Sequence, residues 1–539
     1  MNGNNRRTGS AARLATVATV LGLVVAARGQ DISITNVIPN NFSHEVSEQS
    51  EPSIAVNGAL GASHEMMICT FGVLPTPMGA AGPRSSIGQP CFTSAVFGNP
   101  GATWSNLDIH NYVTGDTTIE WSSSGTAYGT FLIGGGSIDA RSSMAPHLGQ
   151  GLSLLPGSTY IPPGGYVPDQ PWMEVARVGG QDRIYIGFND LSRLKGALGG
   201  TGTGQTASLR YSLDGGITWS QQVLENGAVG GFQDEPEVRV SIVGDRVYTS
   251  FIRINADNTR SLVVRRDDNK GTNNFADLTK VVPQATSYTA PAVGSLKFGS
   301  MSIVAEAAFP NNVLVAVPQV AGGVSDLNLY QSVDSGATWL GTIFDSTNVP
   351  AGRRFIAADH PALAYATNGC LAMLYTKVTD KAGAPAGTQM AIEARLARSC
   401  DDFQFSYTDV PLARFKADLG FEPFIGDYQD LEVVGDTFFG TFSSMNDPSR
   451  PQDFPQGVKF QRQLVNAGVG MVCPAGGMPH VNCRLGDGSG APLVFPDGTT
   501  QRLTIDPYFF RANVTPEPGT AGLVCLGAGL LLRRRRGWM

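Results

Sequence analysis

Two copies of one eight-residue phrase, about 120 positions apart, limit what this chain can become. Ser212-Leu213-Asp214-Gly215-Gly216-Ile217-Thr218-Trp219 and Ser332-Val333-Asp334-Ser335-Gly336-Ala337-Thr338-Trp339 agree at every fixed position of Ser-x-Asp-x-Gly-x-Thr-Trp. Repetition on this scale marks a fold assembled from equivalent units set side by side. Asp and Ser side chains bond nearby backbone N–H groups and close a tight turn. Gly216 and Gly336 supply positive φ, and Trp219 and Trp339 return as apolar plugs.

A second phrase marks where units begin: Asp-x-Pro, an apolar strand, a Gly-containing turn and another strand. It opens at Asp169-Gln170-Pro171, Asp234-Glu235-Pro236 and Asp359-His360-Pro361, with looser versions at Glu51-Pro52, Asp116-Thr117-Thr118 and Asp427-Tyr428-Gln429. A unit near Phe298 has the two strands without the leading Asp. Pro is tolerated at the head of a strand, before the ladder begins. The second strands, such as Arg183 to Phe188 and Arg246 to Phe251, are rich in β-branched and aromatic residues, as buried strands are. Seven starts predict seven four-stranded sheets arranged radially; six remain open if one unit is an insertion. Either the segment 31–37 or the segment 502–511 is placed to supply the closing strand.

The Ser-x-Asp turn resembles the Asp-box of the sialidase-like (BNR repeat) β-propellers. A degraded third copy reads Phe97-Gly98-Asn99-Pro100-Gly101-Ala102-Thr103-Trp104. The resemblance implies an all-β chain with a single propeller over 31–513, and places the box on the outer hairpin of a blade as a structural turn remote from chemistry. Residues 467–490, Gly-rich and carrying Cys473 and Cys483, read as a stapled loop within it.

The termini read as addresses. Arg6, Arg7 and Arg13 precede an apolar run from Leu14 to Ala27 and then small residues, the pattern of a signal peptide over 1–30. At the other end, Pro516-Glu517-Pro518 leads into an apolar stretch from Ala521 to Leu532 and then Arg533, Arg534, Arg535 and Arg536. Helical residues rise ~1.5 Å each, so that stretch is short of a ~30 Å hydrocarbon core. The order of features resembles the PEP-CTERM sorting signal of Gram-negative envelopes. It implies export, a sorting signal over 514–539 that holds the chain transiently by its apolar transmembrane segment, and cleavage by an exosortase-type enzyme, alongside the export machinery as partner.

Without these ends the chain carries about 30 basic and about 44 acidic residues. That acidic balance argues against nucleic acid and against anionic lipid, both of which call for basic patches. Cys525 lies in the sorting segment, and the remaining six cysteines fall as sequence neighbours: Cys69 and Cys91, Cys370 and Cys400, Cys473 and Cys483. Fifteen pairings are allowed; neighbour pairing is preferred because each pair stays within one unit.

In a propeller the first residues of the inner strands meet at the mouth of the central channel. Asp116, Asp169, Asp234, Asp359 and Asp427 are therefore expected to share a ring that binds ligand. Crowded carboxylates cannot all ionise, so at least one pKa should rise unless a cation such as calcium sits among them. The alternative is that each Asp caps its own strand start. Sialidases clamp a sugar carboxylate with three arginines and use a Tyr nucleophile with a Glu partner and an Asp acid/base. On that resemblance Tyr428, Glu432 and Asp169 are the catalytic candidates, and Arg177, Arg253 and Arg354 the arginines that could converge. The family's Arg-Ile-Pro phrase is missing, and a buried Tyr bonding within the ring competes with the nucleophile reading.

No cofactor is expected. The six histidines lack zinc-like spacing, and neither Gly-x-Ser-x-Gly nor a phosphate loop occurs. Asp267, Asp268 and Asn269 fit calcium or a solvated turn. The leading expectation is a monomeric, exported, envelope-sorted propeller that binds an extracellular glycan or polymer at its channel mouth. A sialidase-type exo-glycosidase and a non-catalytic envelope scaffold are its rivals.

Overall fold

The computed structural model describes residues 32–39, 48–60, 65–73, 86–88, 91–94, 104–107, 114–133, 136–144, 150–161, 168–190, 205–226, 232–233, 238–254, 260–273, 275–277, 300–321, 324–341, 344–385, 389–416, 424–447, 450–461, 471–472, 484–485 and 504–514. The described residues form β-strands, turns and short 3-10 segments, with no α-helix among them. The predicted terminal addresses lie outside this set, as do Asp234, Cys473 and Cys483. No helix among the described residues is long and apolar enough to cross a membrane.

Most described strands group into seven antiparallel blades, two of which are joined in one eight-stranded sheet. Blade I comprises Glu48–Val56, Met66–Val73, Cys91–Ser94 and Ser105–Leu107; blade II, Thr114–Trp121, Ala127–Ile133, Ser137–Ser143 and Ser153–Leu154. Blade III comprises Pro168–Val178, Gln181–Asp190, Gln205–Ser212 and Ser220–Asn226; blade IV, Arg239–Val243, Arg246–Ile254, Arg260–Asp267 and Ala276–Asp277. Blade V is Ser302–Ala305, Val313–Ala321, Val324–Ser332 and Leu340–Gly341, and blade VI is Arg353–Tyr365, Leu371–Lys381, Ala391–Ser399 and Thr408–Lys416. These two touch through one parallel pair, Ser325 with Ala357. Blade VII takes Asp430–Val434, Thr437–Met445 and Ile505–Asn513, and its fourth strand is the N-terminal Ile32–Asn36. Both segments proposed for closure take part, since Ile34 pairs with Phe510.

The first strand of each blade packs against the first strand of the next, from I through VII and back to I. This closed ring is a seven-bladed β-propeller, with a first strand at or just after each expected start; Asp234 and Phe298 themselves lie outside the described residues. Every blade is covered on both faces, so side-chain alternation decides which neighbour a residue meets. Leu371, Met373 and Tyr375 face blade V, while Ala372 and Leu374 face blade VII. The second strands therefore read as unbroken apolar runs. Separate hydrophobic clusters fill the seams, and the hub stays polar.

The seams are also stitched by hydrogen bonds. An inner-strand hydroxyl accepts a backbone N–H from the next blade: Ile119 to Ser53 (3.1 Å), Met173 to Thr118 (2.7 Å), Ala305 to Ser241 (3.0 Å) and Leu363 to Ser302 (3.2 Å). The Asp430 carboxylate does the same for Ile54 (3.0 Å) where blade VII meets blade I. Gly187 lets blade IV approach blade III, because a Cβ there would lie 2.1 Å from the Val238 carbonyl oxygen.

Two disulfides form, Cys69–Cys91 and Cys370–Cys400, each linking the second and third strands within one blade. Around 467–490, Met471–Val472 pairs with Arg484–Leu485 in a two-stranded ladder.

Candidate functional site

Each blade's first strand starts at one end of the propeller, here called the entry end, and the turns joining strands one to two and three to four lie at the opposite, far end. The Ser-x-Asp turns occupy the far end. Ser212 Oγ accepts the Gly216 N–H (2.8 Å), and Asp214 accepts the Thr218 N–H (2.9 Å) and hydroxyl (2.6 Å). The Trp219 indole N–H donates to the Gly216 carbonyl (3.1 Å). Ser332, Asp334, Gly336, Thr338 and Trp339 repeat these bonds within a few tenths of an ångström. Trp219 packs into the seam between blades II and III, and Trp339 into that between IV and V.

A third such turn escaped sequence reading. In blade VI, Ser399 Oγ accepts the Phe403 N–H (3.0 Å), and Asp401 accepts the Ser406 N–H (3.1 Å) and hydroxyl (3.2 Å). Phe403 stands where the phrase has Gly, and the Ser and Tyr407 that follow come one residue late. Asp402 and Phe403 hold φ of 55° and 59°, a conformation costing non-glycine residues about 1–2 kcal/mol. The Phe403 ring, fully buried against Phe344 and Tyr407, offsets that cost. The only sequence signal was Ser-x-Asp itself.

At the entry end the inner strands begin with bulges. Glu51, Gln170 and His360 each precede a proline and hold φ of 49°, 44° and 52°. Residues before proline ordinarily stay extended, so three left-handed residues at equivalent places are a built-in strain. The ladder slips at each, between Ser50 and Ser53, Asp169 and Trp172, and Asp359 and Ala362. Gly426, at φ 86°, provides the matching turn in blade VII. The bulges turn side chains across the hub. The Gln170 N–H donates to Asp116 (3.1 Å) and its side-chain amide to Asp427 (2.5 Å), while the Asp427 N–H donates to Glu51 (3.2 Å). The Gln429 amide donates to the His360 carbonyl (2.8 Å), and the His360 N–H to Asp359 (2.6 Å). Asp116, Asp427 and, through these links, Asp359 thus join one rim. Asp169 lies beside Gln170 at its bulge, and Asp234 lies outside the described residues.

Just below the rim the lumen is filled. The Tyr428 hydroxyl donates to the Thr117 carbonyl (2.9 Å) and accepts the Thr117 N–H (3.1 Å), so its oxygen is held from both sides by blade II. Trp172 meets the Tyr428 ring edge-on at 5.6 Å, and the Arg239 guanidinium lies 3.3 Å above the Trp172 ring. Neither Trp172 nor Arg239 carries a signal in the sequence. Each is one apolar or basic residue among many until the ring closes.

Next along the inner strands come four carboxyl groups: Glu120, Glu174, Asp430 and Glu432. Burial, then the charges of Glu432 and Glu174, holds Glu120 well above the usual carboxylate range; burial, then Asp430, does the same for Glu432, which bonds Glu120. Burial and Asp430 push Glu174 up to about 8. Burial raises Asp430 as well, opposed by hydrogen bonds from Ser53 and Ile54 and by the Arg239 charge. Glu120, Glu174 and Glu432 are half-buried, and the protein packed around them strips most of their water. At neutral pH such a group can hold a proton to donate.

The three sequence-nominated arginines do not converge. Arg177 lies at the far end on Asp182 (3.0 Å), Arg253 grips Glu225 across the seam between blades III and IV (2.7 and 2.9 Å), and Arg354 pairs with Asp380 in blade VI (2.7 Å). In the loop considered for calcium, Asp267 accepts the Asn269 and Asn273 N–H groups (2.7 Å each) and Asp268 pairs with Arg246 and Arg266. Among the described residues no His, Cys, Asp and Glu cluster is arranged to hold a metal ion.

No family model matches this chain, and no curated protein does. Several solved structures are similar at low identity. A protein of unknown function from Dyadobacter fermentans is 11% identical, with a TM-score of 0.39 over 90% of this chain and 100% of its own. The endosialidase of phage phi92 is 9% identical, with a TM-score of 0.37 over 90% and 70%. An α-L-arabinanase from Penicillium chrysogenum, solved with arabinobiose, is 11% identical, with a TM-score of 0.38 over 64% and 93%.

Proposed function

We propose that this chain is an exported propeller that binds an extracellular glycan or related polymer at its entry end. The observation that carries this reading is the strained rim. Backbone strain persists where the surrounding structure enforces it, and it clusters at binding sites. Gln170 is its centre: its backbone and side-chain N–H groups are both engaged, while its side-chain oxygen, in a residue only 3% exposed, accepts no hydrogen bond among the described residues. A sugar hydroxyl is a suitable donor for it. Retention of the purified protein on a glycan array, lost in Gln170→Ala well below the temperature at which the variant melts, is the expected result. Silence of the wild type across the array would leave the scaffold reading in its place.

A second reading, a glycosidase, requires a substrate to displace the Tyr428–Trp172–Arg239 filling and reach the carboxyl quartet beneath it, where Glu174, pushed up to about 8 by burial and Asp430, would be the general acid. The doubly bonded Tyr428 hydroxyl makes it a poor nucleophile as it stands. Release of dye from fluorogenic glycosides, abolished in Glu174→Gln and kept in Tyr428→Phe, would establish an enzyme that does not use the tyrosine.

The address sequences support export and envelope sorting. The mature chain is expected to begin near residue 30 and to end near Pro516, which intact-mass analysis of native protein would check.

A further inference from the structure

A cavity of about 650 Å³ opens at the entry end of blade VI, beside the turn Pro451–Asp453. Its wall carries four cations, Arg353, Arg414, Lys416 and Arg450, against two carboxylates, Glu393 and Asp453. A positive lining is notable on a chain whose net charge is −7. The three guanidinium groups are fixed from behind. Arg353 Nε and Nη2 donate to Thr379 (2.9–3.1 Å), Arg414 Nε to Glu393 (2.5 Å), and Arg450 Nε and Nη2 to Asp453 (2.9 and 3.0 Å). Glu393 is itself buried and also holds Arg395 (2.5 Å), so the anchor beneath Arg414 is rigid.

This anchoring leaves Arg353 Nη1, both terminal nitrogens of Arg414, Arg450 Nη1 and Lys416 Nζ with no acceptor among the described residues. Preorganised donors of this kind suit oxyanions, because an arginine fork already held in place loses little freedom on binding. The volume is that of a site for a ligand of many atoms, well beyond a lone inorganic ion. Pro350, Ala351 and Met390 add apolar wall on which the C–H faces of a sugar ring can lie.

We infer that this pocket takes the carboxylate or sulfate groups of an acidic polysaccharide whose chain also reaches the rim. The glycan identity rests on the proposed function; the charge rests on the pocket alone. Arg353 comes from the blade that carries His360 on the rim, and pocket and rim open at the same end, so one polymer can engage both.

The test is calorimetric titration of the full mature chain with polygalacturonate, dextran sulfate, neutral dextran and inorganic polyphosphate, at low and high salt. Both acidic polysaccharides, or one of them, should bind at least about tenfold more tightly than neutral dextran, in a salt-dependent way. The more tightly bound of the two names the acid group. Arg414→Gln with Lys416→Gln should weaken that binding about tenfold or more while neutral-dextran binding stays unchanged, whatever melting is lost with the Arg414–Glu393 pair. Lys416→Gln alone, an exposed site, should give a smaller loss in the same direction. Equal binding of neutral and acidic dextrans, or no change in the double variant, would overturn the inference. Polyphosphate binding as tightly as the acidic polysaccharides would show that charge alone is read, and would overturn it too. Loss in Gln170→Ala with none in the double variant sinks the pocket and keeps the rim. The reverse result sinks the rim and keeps the pocket.

Discussion

Two sets of acidic residues, one at each end of this propeller, are satisfied in opposite ways. At the far end Asp214, Asp334 and Asp401 are each bonded by residues of their own turn, two to five positions away. At the entry end Asp116, Asp427 and Glu51 take their partners from other blades, and Gln170 reaches across the hub to residue 427. A carboxylate satisfied locally is a structural part that can be copied from unit to unit. A carboxylate satisfied at a distance depends on ring closure, and closure is what gathers groups able to meet a ligand.

The sharpest probe of this contrast is Phe403, the far-end residue that breaks the local rule. Phe403→Ala should destabilise by about 3–5 kcal/mol, as the loss of a buried ring does. Phe403→Gly loses the same ring but relieves the left-handed backbone, so it should be less harmful by roughly 1 kcal/mol. Denaturant unfolding of the two variants would settle the order; Gly as the worse residue would mean that strain at this turn is negligible.

Gly426→Ala attacks the entry end. The new methyl would fall 2.1 Å from Glu51 Cγ at a position of positive φ, a clash worth about 1–3 kcal/mol. Glycan retention should be lost along with part of the melting temperature. Intact retention would mean that the Glu51 side of the rim is not used.

The carboxyl quartet has a pH signature. The folded-state pKa of Glu174 is raised to about 8 from an ordinary value of 4.5, so the folded state binds the proton more tightly than the unfolded chain. Its contribution to stability is complete below about 4.5 and is lost as pH climbs through 8. Melting curves of wild type and Glu174→Gln should nearly coincide at pH 4.5, with the variant the more stable at pH 8. Parallel curves across that range would dismiss the shift.

The smallest effect belongs to the far-end turns. The Thr338 hydroxyl and N–H push the exposed Asp334 down to about 2. The stability it gives is present above about 3.8 and fades as pH falls toward 2. Asp334→Asn should lower the melting temperature slightly at pH 7 and match wild type at pH 2. A variant that abolished glycan retention would instead give the far end a part in binding.

Much of the architecture is legible in the residues. Seven strand starts, the Ser-x-Asp turns, two neighbouring cysteine pairs and both components of the closing sheet are local patterns. The ladder and the turn are made of short-range bonds that a short window of sequence contains. The Ser399 turn was hidden because its glycine position holds a phenylalanine whose compensation, a pocket of Phe344 and Tyr407, comes from elsewhere in the chain.

The candidate site was only half visible. Acids at strand heads could be read as converging, because strand starts must meet at a hub. Which side chain crosses that hub could not be read, nor that Trp172, Arg239 and Tyr428 would fill it, nor that Arg177, Arg253 and Arg354 would be held by Asp182, Glu225 and Asp380. Periodicity and turn chemistry are properties of a few consecutive residues, so the chain marked its units by itself, while ring closure decided for seven of them over six. The lumen is lined by residues hundreds of positions apart, and only the packing of one blade on the next decided which of them would meet.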